Sequence, residues 1–361
     1  MPVVAKNGLR LALAIRPSRW SGALSLLIAA LVLGGCGSSA RVPHPSSTPR
    51  VSTQPVGPTV ASQSRSAAAA PAPTLQITAL QWSLPAPLSR EVVLPNGPDL
   101  EIVGGLATGD ITTNAVYSID AVSGAVRAEG PLAVAVHDAA GVVLGGSRYV
   151  FGGGSANSVA TVQRLRGTSP ADVWGQLPSA RSDLVAVQSG GAAYVLGGYD
   201  GSVLASAVLK TTDGMQFTPI ATLPVPVRYA AVAAVGDAIW VFGGQTSTGS
   251  TSVIQRIDLN SGNVVIAGHL PATLSDSSAL VLGGQIYLCG GIAASGPTDA
   301  VRRFDTVTGR LTLVGRLPSV VHDAGSAVLS GVGYLVGGEN GATMASVVRL
   351  RLTARAGGGT S

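Results

Sequence analysis

Trp240-Val-Phe-Gly-Gly244 is the clearest copy of a phrase that recurs along this 361-residue chain. Its counterparts open with Tyr149-Val-Phe, Tyr194-Val-Leu, Tyr287-Leu-Cys and Tyr334-Leu-Val, and a sixth copy carries Glu101-Ile-Val. Each ends in two glycines: Gly104-Gly105, Gly152-Gly153, Gly197-Gly198, Gly243-Gly244, Gly290-Gly291 and Gly337-Gly338. The intervals are 48, 45, 46, 47 and 47 residues. A period of about 40 to 50 residues marks one structural unit copied along the chain, because a single core read end to end has no such rhythm. Short aromatic and β-branched runs bounded by Gly or Asp make these units strands rather than helices.

A proline marks the other end of each unit. Pro85, Pro131, Pro178, Pro224, Pro271 and Pro318 lie 46, 47, 46, 47 and 47 residues apart, most of them after a leucine. Proline ends a strand because it cannot donate to a ladder. Between glycines and proline, turns at Asp120–Gly124, Asp258–Gly262, Asp305–Gly309 and Asp213-Gly214 split two further strand-like runs. Gly tolerates φ > 0 there, and Asp bonds its own backbone. Each repeat therefore holds four antiparallel strands, and six such units arranged about an axis make a β-propeller.

The pattern resembles the kelch repeat over roughly residues 75 to 353. The shared marks are the double glycine after an aromatic strand, the proline-then-polar turn in Leu177-Pro-Ser-Ala-Arg-Ser-Asp183, and a fourth-strand aromatic at Trp82, Trp174 and Phe217. Val126, Val265 or Leu313 stands near that aromatic position in other repeats, and Glu101 replaces the aromatic of the first, for which the sequence offers no reason. The resemblance implies an all-β, six-bladed kelch-type propeller. Leu75 to Leu84 reads as a fourth strand without its first three, and the last repeat lacks a fourth, so the N-terminal strand is expected to close the last blade.

Residues 1–35 read differently. Lys6, Arg10, Arg16 and Arg19 precede the apolar run Ser21 to Val32, which is short for a membrane span, and Leu33-Gly34-Gly35-Cys36 follows. That ending resembles the bacterial lipobox, which implies a cleaved lipoprotein signal peptide, lipid on Cys36 and an extracytoplasmic protein anchored to a bacterial membrane. Residues 36–74 are rich in Ser, Pro, Ala and Thr and read as a disordered tether, and 75–361 as the propeller. Lipid on Cys36 leaves Cys289 as the one other cysteine, a small core hydrophobe with no disulfide expected.

The formal charge of +5 is carried by the N-terminal segments. Four basic residues lie in the signal peptide and three, Arg41, Arg50 and Arg65, in the tether. The propeller keeps 16 Lys and Arg against 18 Asp and Glu, a balance of −2, which argues against a nucleic-acid partner.

Up-and-down strands place the turns after the prolines and the residues after the glycine pairs on one rim. Fifteen residues before each pair stand Ser89, His137, Ser182, Arg228, Ser275 and His322, followed by Arg90, Asp138, Asp183, Tyr229, Asp276 and Asp323. The residues that break the register, Arg181, Arg228 and Tyr229, single out a ligand site together with Tyr199, Asp200, Gln245, His322, Asp323 and Glu339. Arg181 and Arg228 can fork onto a carboxylate there while Tyr199 or Tyr229 stacks on a sugar face, or can tie neighbouring turns together as structural residues. The expectation is a monomeric module that binds a protein or a glycan, with no metal, no cofactor and no assigned catalytic residue. The alternative is a cofactor-free sugar mutarotase or epimerase, as among bacterial kelch proteins acting on sialic acid, in which Arg181, Arg228, His322 and Glu339 hold a carboxylate and move protons. A copper-radical oxidase, which needs a Tyr–Cys crosslink and two metal-binding His, is not supported by Cys289 inside a core strand.

Overall fold

The double glycines sit where one repeat meets the next. In the computed structural model, which describes residues 73–353, the first glycine of each pair has φ between 57° and 66°. A Cβ on it would collide with a carbonyl oxygen of the following repeat, that of Val136, Arg181, Val227, Leu274, Val321 or, after the sixth repeat, Leu88. The second glycine, at φ 89° to 107°, donates its N–H to that same carbonyl at 2.8–3.0 Å. Only a residue without a side chain permits both the φ and the approach. The glycine pair is therefore the joint between units. The expected signal peptide (1–35), Cys36 and the tether up to residue 72 lie outside the described residues.

The described residues are all-β and antiparallel. They contain six four-stranded sheets, together with two three-stranded and one two-stranded ribbon at the loops. In the fifth repeat the strands are Ser278–Leu282, Gln285–Cys289, Ala300–Phe304 and Leu311–Arg316, hydrogen-bonded in that order. The turn at Asp305 forms as expected, with Gly309 N–H donating to the Asp305 carbonyl at 2.8 Å and the Val307 and Thr308 amides to its carboxylate at 2.9 Å.

The sixth sheet joins the two ends of the described chain. Gly325–Leu329, Val332–Val336 and Val347–Thr353 are extended by Thr74–Ala79, in register from Thr74 opposite Thr353 to Ala79 opposite Val348. The N-terminal strand begins one residue before the expected Leu75 and stops at Ala79 rather than Leu84. Beyond Ala79 isolated contacts persist, Leu80 N–H to Val347 O and Leu84 N–H to Ala345 O at 2.8 Å each and Leu88 N–H to Met344 O at 2.9 Å. Trp82 accordingly lies past the strand rather than in it, and Phe217 precedes the strand Thr218–Thr222. Trp174 alone of the three aromatics occupies a fourth strand, Ser169–Gln176, where its Nε1 donates to the Asp213 carbonyl at 2.8 Å.

Neighbouring sheets pack face to face through alternating apolar positions. Phe242 and Trp240 meet Phe304 edge-on, with centroids 4.9 and 5.0 Å apart, and Phe151 meets Phe217 at 5.9 Å. Two fully buried glutamines clamp the incoming turns: Gln163 donates to Val134 O and accepts from Val134 N, and Gln255 does the same at Val225. Cys289 is buried with Leu280, Val301 and Leu335, and burial pushes its thiol up to about 12, where it is un-ionised and inert. Glu101, the exception among the aromatics, is 0% exposed and takes Arg148 of the next repeat at 2.9 Å. An interrepeat ion pair stands where the other joints carry a ring.

Deleting residues 37–70 should leave the melting temperature unchanged. Deleting through Pro85 removes the strand paired with Val347–Thr353 and bares an edge. The second truncation should melt roughly 10 °C or more lower, or aggregate, as read by circular dichroism and light scattering.

Candidate functional site

Six residues at the entrances of the first strands share an unusual backbone. Arg90, Asp138, Asp183, Tyr229, Asp276 and Asp323 all have φ between 50° and 59°. Left-handed backbone costs about 1 kcal/mol for a residue with a Cβ, and Asp bears it better than most. A main-chain hydrogen bond at each position offsets that cost: every N–H donates to the carbonyl of the equivalent residue one repeat earlier, at 2.9–3.2 Å, and Arg90 N–H donates to Asp323 O. The series thus runs through all six repeats and returns to the first.

The preceding residues pair with those after the glycines, so the two groups share one rim as expected. His322 and Glu339 exchange two main-chain bonds of 3.2 and 2.8 Å, Arg228 and Gln245 two of 3.0 and 2.8 Å, and Ser182 stands opposite Tyr199.

Two arginines organise the rim. Arg90 reaches Asp138 at 3.1 Å, Glu339 at 3.3 Å and Asp323 at 3.6 Å, and its guanidinium lies 5.9 Å from the centre of the Tyr229 ring. Burial weakens its charged form, but Asp138 and Asp323 more than offset this and hold it protonated. Arg228 reaches Asp183 at 3.3 Å and Gln245 at 3.4 Å, with the rings of Tyr229 and Tyr199 at 5.1 and 5.2 Å. Nδ1 of His322 is 2.7 Å from Asp323, a bond that raises the affinity of the imidazole for its proton.

Arg181 does not belong to this group. It is 3% exposed and stands where the other repeats carry Leu88, Val136, Val227, Leu274 and Val321, beneath the glycine pair. Its guanidinium donates to Gly197 O at 3.3 Å and to Ser179 Oγ at 3.1 Å, which makes it part of the joint, and burial weakens its charged form. Asp200 is also spent locally: its carboxylate takes the amides of Ser202 and Val203 at 2.8 Å each in an exposed turn. Tyr199, Arg228, Tyr229 and Gln245 come together, as do His322, Asp323 and Glu339.

Two features escaped the sequence reading. Arg90 sits among three carboxylates, Asp138, Asp323 and Glu339, and so serves as a counterion inside the ring of four aspartates that the sequence register places on the rim. The second feature is Glu91. It follows the ring residue, where the other repeats have Ala139, Leu184, Ala230, Ser277 and Ala324, and a carboxylate in that small-residue column is the signal that aligning the repeats exposes. It is 6% exposed, its Oε1 accepts Gly325 N–H at 3.3 Å, and burial pushes its carboxyl up to about 8.

Three cavities follow the axis between the first strands. The mouth, about 130 Å³, is walled by the six ring residues and Glu91. Beneath it a chamber of about 290 Å³ shares Glu91, Ser277 and Ala324 with the mouth, and a third of about 390 Å³ lies among Val93, Val142, Val187, Val232, Val281 and Val328. On the rim, a separate cleft of about 660 Å³ opens between the third and fourth repeats, lined by Tyr199, Val203, Leu204, Pro224, Pro226, Arg228 and Thr246 among others. Ligand atoms of His322, Asp323 and Glu339 lie within 4.8 Å of one another, as a metal would require. Two of the three, Asp323 and Glu339, are already paired with Arg90.

The raised carboxyls set a pH dependence. Burial pushes Glu91 up to about 8, and Asp276 and Glu101 up to about 7, from ordinary values of 4.5 for Glu and 3.8 for Asp. Between those limits the folded chain keeps protons that the unfolded chain has released, so stability falls as pH rises. Thermal melts should show a lower midpoint at pH 8 than at pH 5, and Asp276→Asn, which carries no proton to lose, should flatten the slope.

Residues 273–310, which run from the proline turn of the fifth repeat to just past its Asp305–Gly309 turn, match the Kelch motif. No curated protein matches the chain as a sequence. Among solved structures, one titled "Structure of YjhT" is similar with a TM-score of 0.63 and 16% identity, covering 74% of this chain and 96% of that one. At that identity the likeness concerns the fold. The chain thus carries a kelch motif on an all-β architecture similar to that of YjhT.

Proposed function

We propose that the protein is a binding module: a monomeric six-bladed kelch propeller, closed by its N-terminal strand, that takes a glycan or protein ligand on the proline-side rim. Six four-stranded sheets, the hydrogen-bond series that returns from Asp323 to Arg90, and the pairing of Thr74–Ala79 with Val347–Thr353 support the blade count and the closure. The lipobox-like Leu33-Gly34-Gly35-Cys36 supports a lipid anchor on a bacterial membrane, with residues 36–74 as the tether.

The cleft beside Tyr199 carries the binding proposal. Tyr199, Leu204 and the two prolines offer apolar faces, while Ser202, Thr246 and Ser247 offer hydroxyl groups, a mixture suited to the two-sided chemistry of a sugar. The mutarotase reading keeps acid/base groups in Asp138 and Asp276, raised toward neutral pH, but loses its carboxylate clamp because Arg181 is buried and Arg90 and Arg228 are paired.

On a glycan array the purified protein should bind a defined set of saccharides, and Tyr199→Ala should weaken the signal about tenfold with an unchanged melt. Anomer exchange catalysed in proton NMR, or binding indifferent to Tyr199→Ala and Leu204→Ser, counts against the module reading. Independently, Cys36→Ser should abolish fatty-acid labelling and leave the precursor uncleaved; equal labelling of the variant excludes the anchor.

A further inference from the structure

The axial cavities have a chemical gradient that the rim cleft lacks. At the mouth stand four aspartates, one level down Glu91 with Ser277 and Ser278, and at the far end Val93, Leu94, Val187, Val232, Val281 and Val328, with no acidic or basic side chain in the wall. Alanine and glycine on the first strands, such as Ala186, Ala279 and Gly141, leave the passage open.

Two carboxyl groups at the mouth are under-used. Oε2 of Glu91 is buried and has no hydrogen-bond partner among the described residues, and Glu91 is one of the residues that wall both the mouth and the chamber beneath. A buried acceptor left unpaired is costly and marks a place for a donor. Asp276 lines the same mouth, takes only the Ser275 hydroxyl at 2.6 Å, and has no Lys, Arg or His within 4 Å among the described residues. Arg90 demonstrates how the mouth treats a cation: two aspartates and a glutamate within 3.6 Å and a tyrosine ring beside it.

We propose that the axial channel binds a primary alkylammonium ion, its headgroup donating to Glu91 Oε2 and Asp276 and its aliphatic chain running toward Val187, Val232 and Val281. An ammonium has three N–H donors for these oxygens, whereas a quaternary amine has none. A carboxylate ligand meets like charge at the mouth, and a second ammonium on the same chain would meet no acid at the valine end. The site is separate from the rim cleft and stands whether or not that cleft takes a glycan.

The test is isothermal titration calorimetry of the full chain with n-butyl- to n-octylammonium chloride, n-octanol, octanoate and tetramethylammonium. One alkylammonium should bind per chain, about fourfold tighter for each added methylene. The octanol, octanoate and tetramethylammonium arms should show at least tenfold weaker binding. Asp276→Asn keeps a residue that tolerates φ 56°, and it should weaken octylammonium about tenfold or more, as should Glu91→Gln. Ala279→Leu, which fills the channel below the mouth, should abolish the chain-length dependence even if Glu91→Gln fails to fold. Equal affinity for octanol and octylammonium, affinity indifferent to Asp276→Asn, or no binding of any alkylammonium at millimolar concentration would overturn the proposal.

Discussion

The six main-chain hydrogen bonds that link Arg90, Asp138, Asp183, Tyr229, Asp276 and Asp323 in a returning series are the constraint on which the other features depend. They require the left-handed backbone at all six positions, and that backbone selects Asp at four of them. The same geometry turns the first strands toward a common axis. The glycine pairs complete the joint from the other side, where the missing side chains let a carbonyl of the next repeat approach.

The site follows from that arrangement. Because the ring is built from the backbone, its side chains are free to differ between repeats, and they do so in charge. Four aspartates brought together at a narrow mouth would repel one another. Arg90, a break in the pattern, relieves this by meeting Asp138, Asp323 and Glu339 at once, and Arg228 relieves Asp183. Asp276 is left with a hydroxyl, and burial with the neighbouring Asp323 keeps its proton on to about pH 7. Of the two arginines read from sequence as candidate clamps, Arg228 is in the fold the counterion of Asp183, and Arg181 is bonded within the joint to Gly197 and Ser179.

Buried polar groups elsewhere serve the joints rather than a ligand. Gln163 and Gln255 satisfy turns that could not otherwise be buried, and Arg181 lends its guanidinium to Gly197 and Ser179. Glu101 with Arg148 does in polar chemistry what Tyr or Trp does in the other repeats, at the cost of a carboxyl raised by burial to about 7. Desolvation of both charges offsets much of the attraction in a buried pair of this kind, so it adds little net stability.

By itself the sequence determined the repeat, its four-strand content, the joints and the shared rim, because each depends on local backbone chemistry: glycine where φ is positive and space is absent, proline where a strand ends, Asp where a turn needs an acceptor. It also placed Tyr199, Arg228 and Gln245 together, since their spacing from the glycine pairs is a strand register. Tertiary structure alone decided which charges meet. Arg90 and Glu339 are 249 residues apart and touch only because the last repeat lies beside the first. Arg181, two residues before the ring position, turns inward because the backbone there packs under the next glycine pair, and nothing in its local sequence distinguishes that from facing a ligand. Glu91 becomes an unpaired acid in a channel only when six first strands surround it, a condition no single repeat contains.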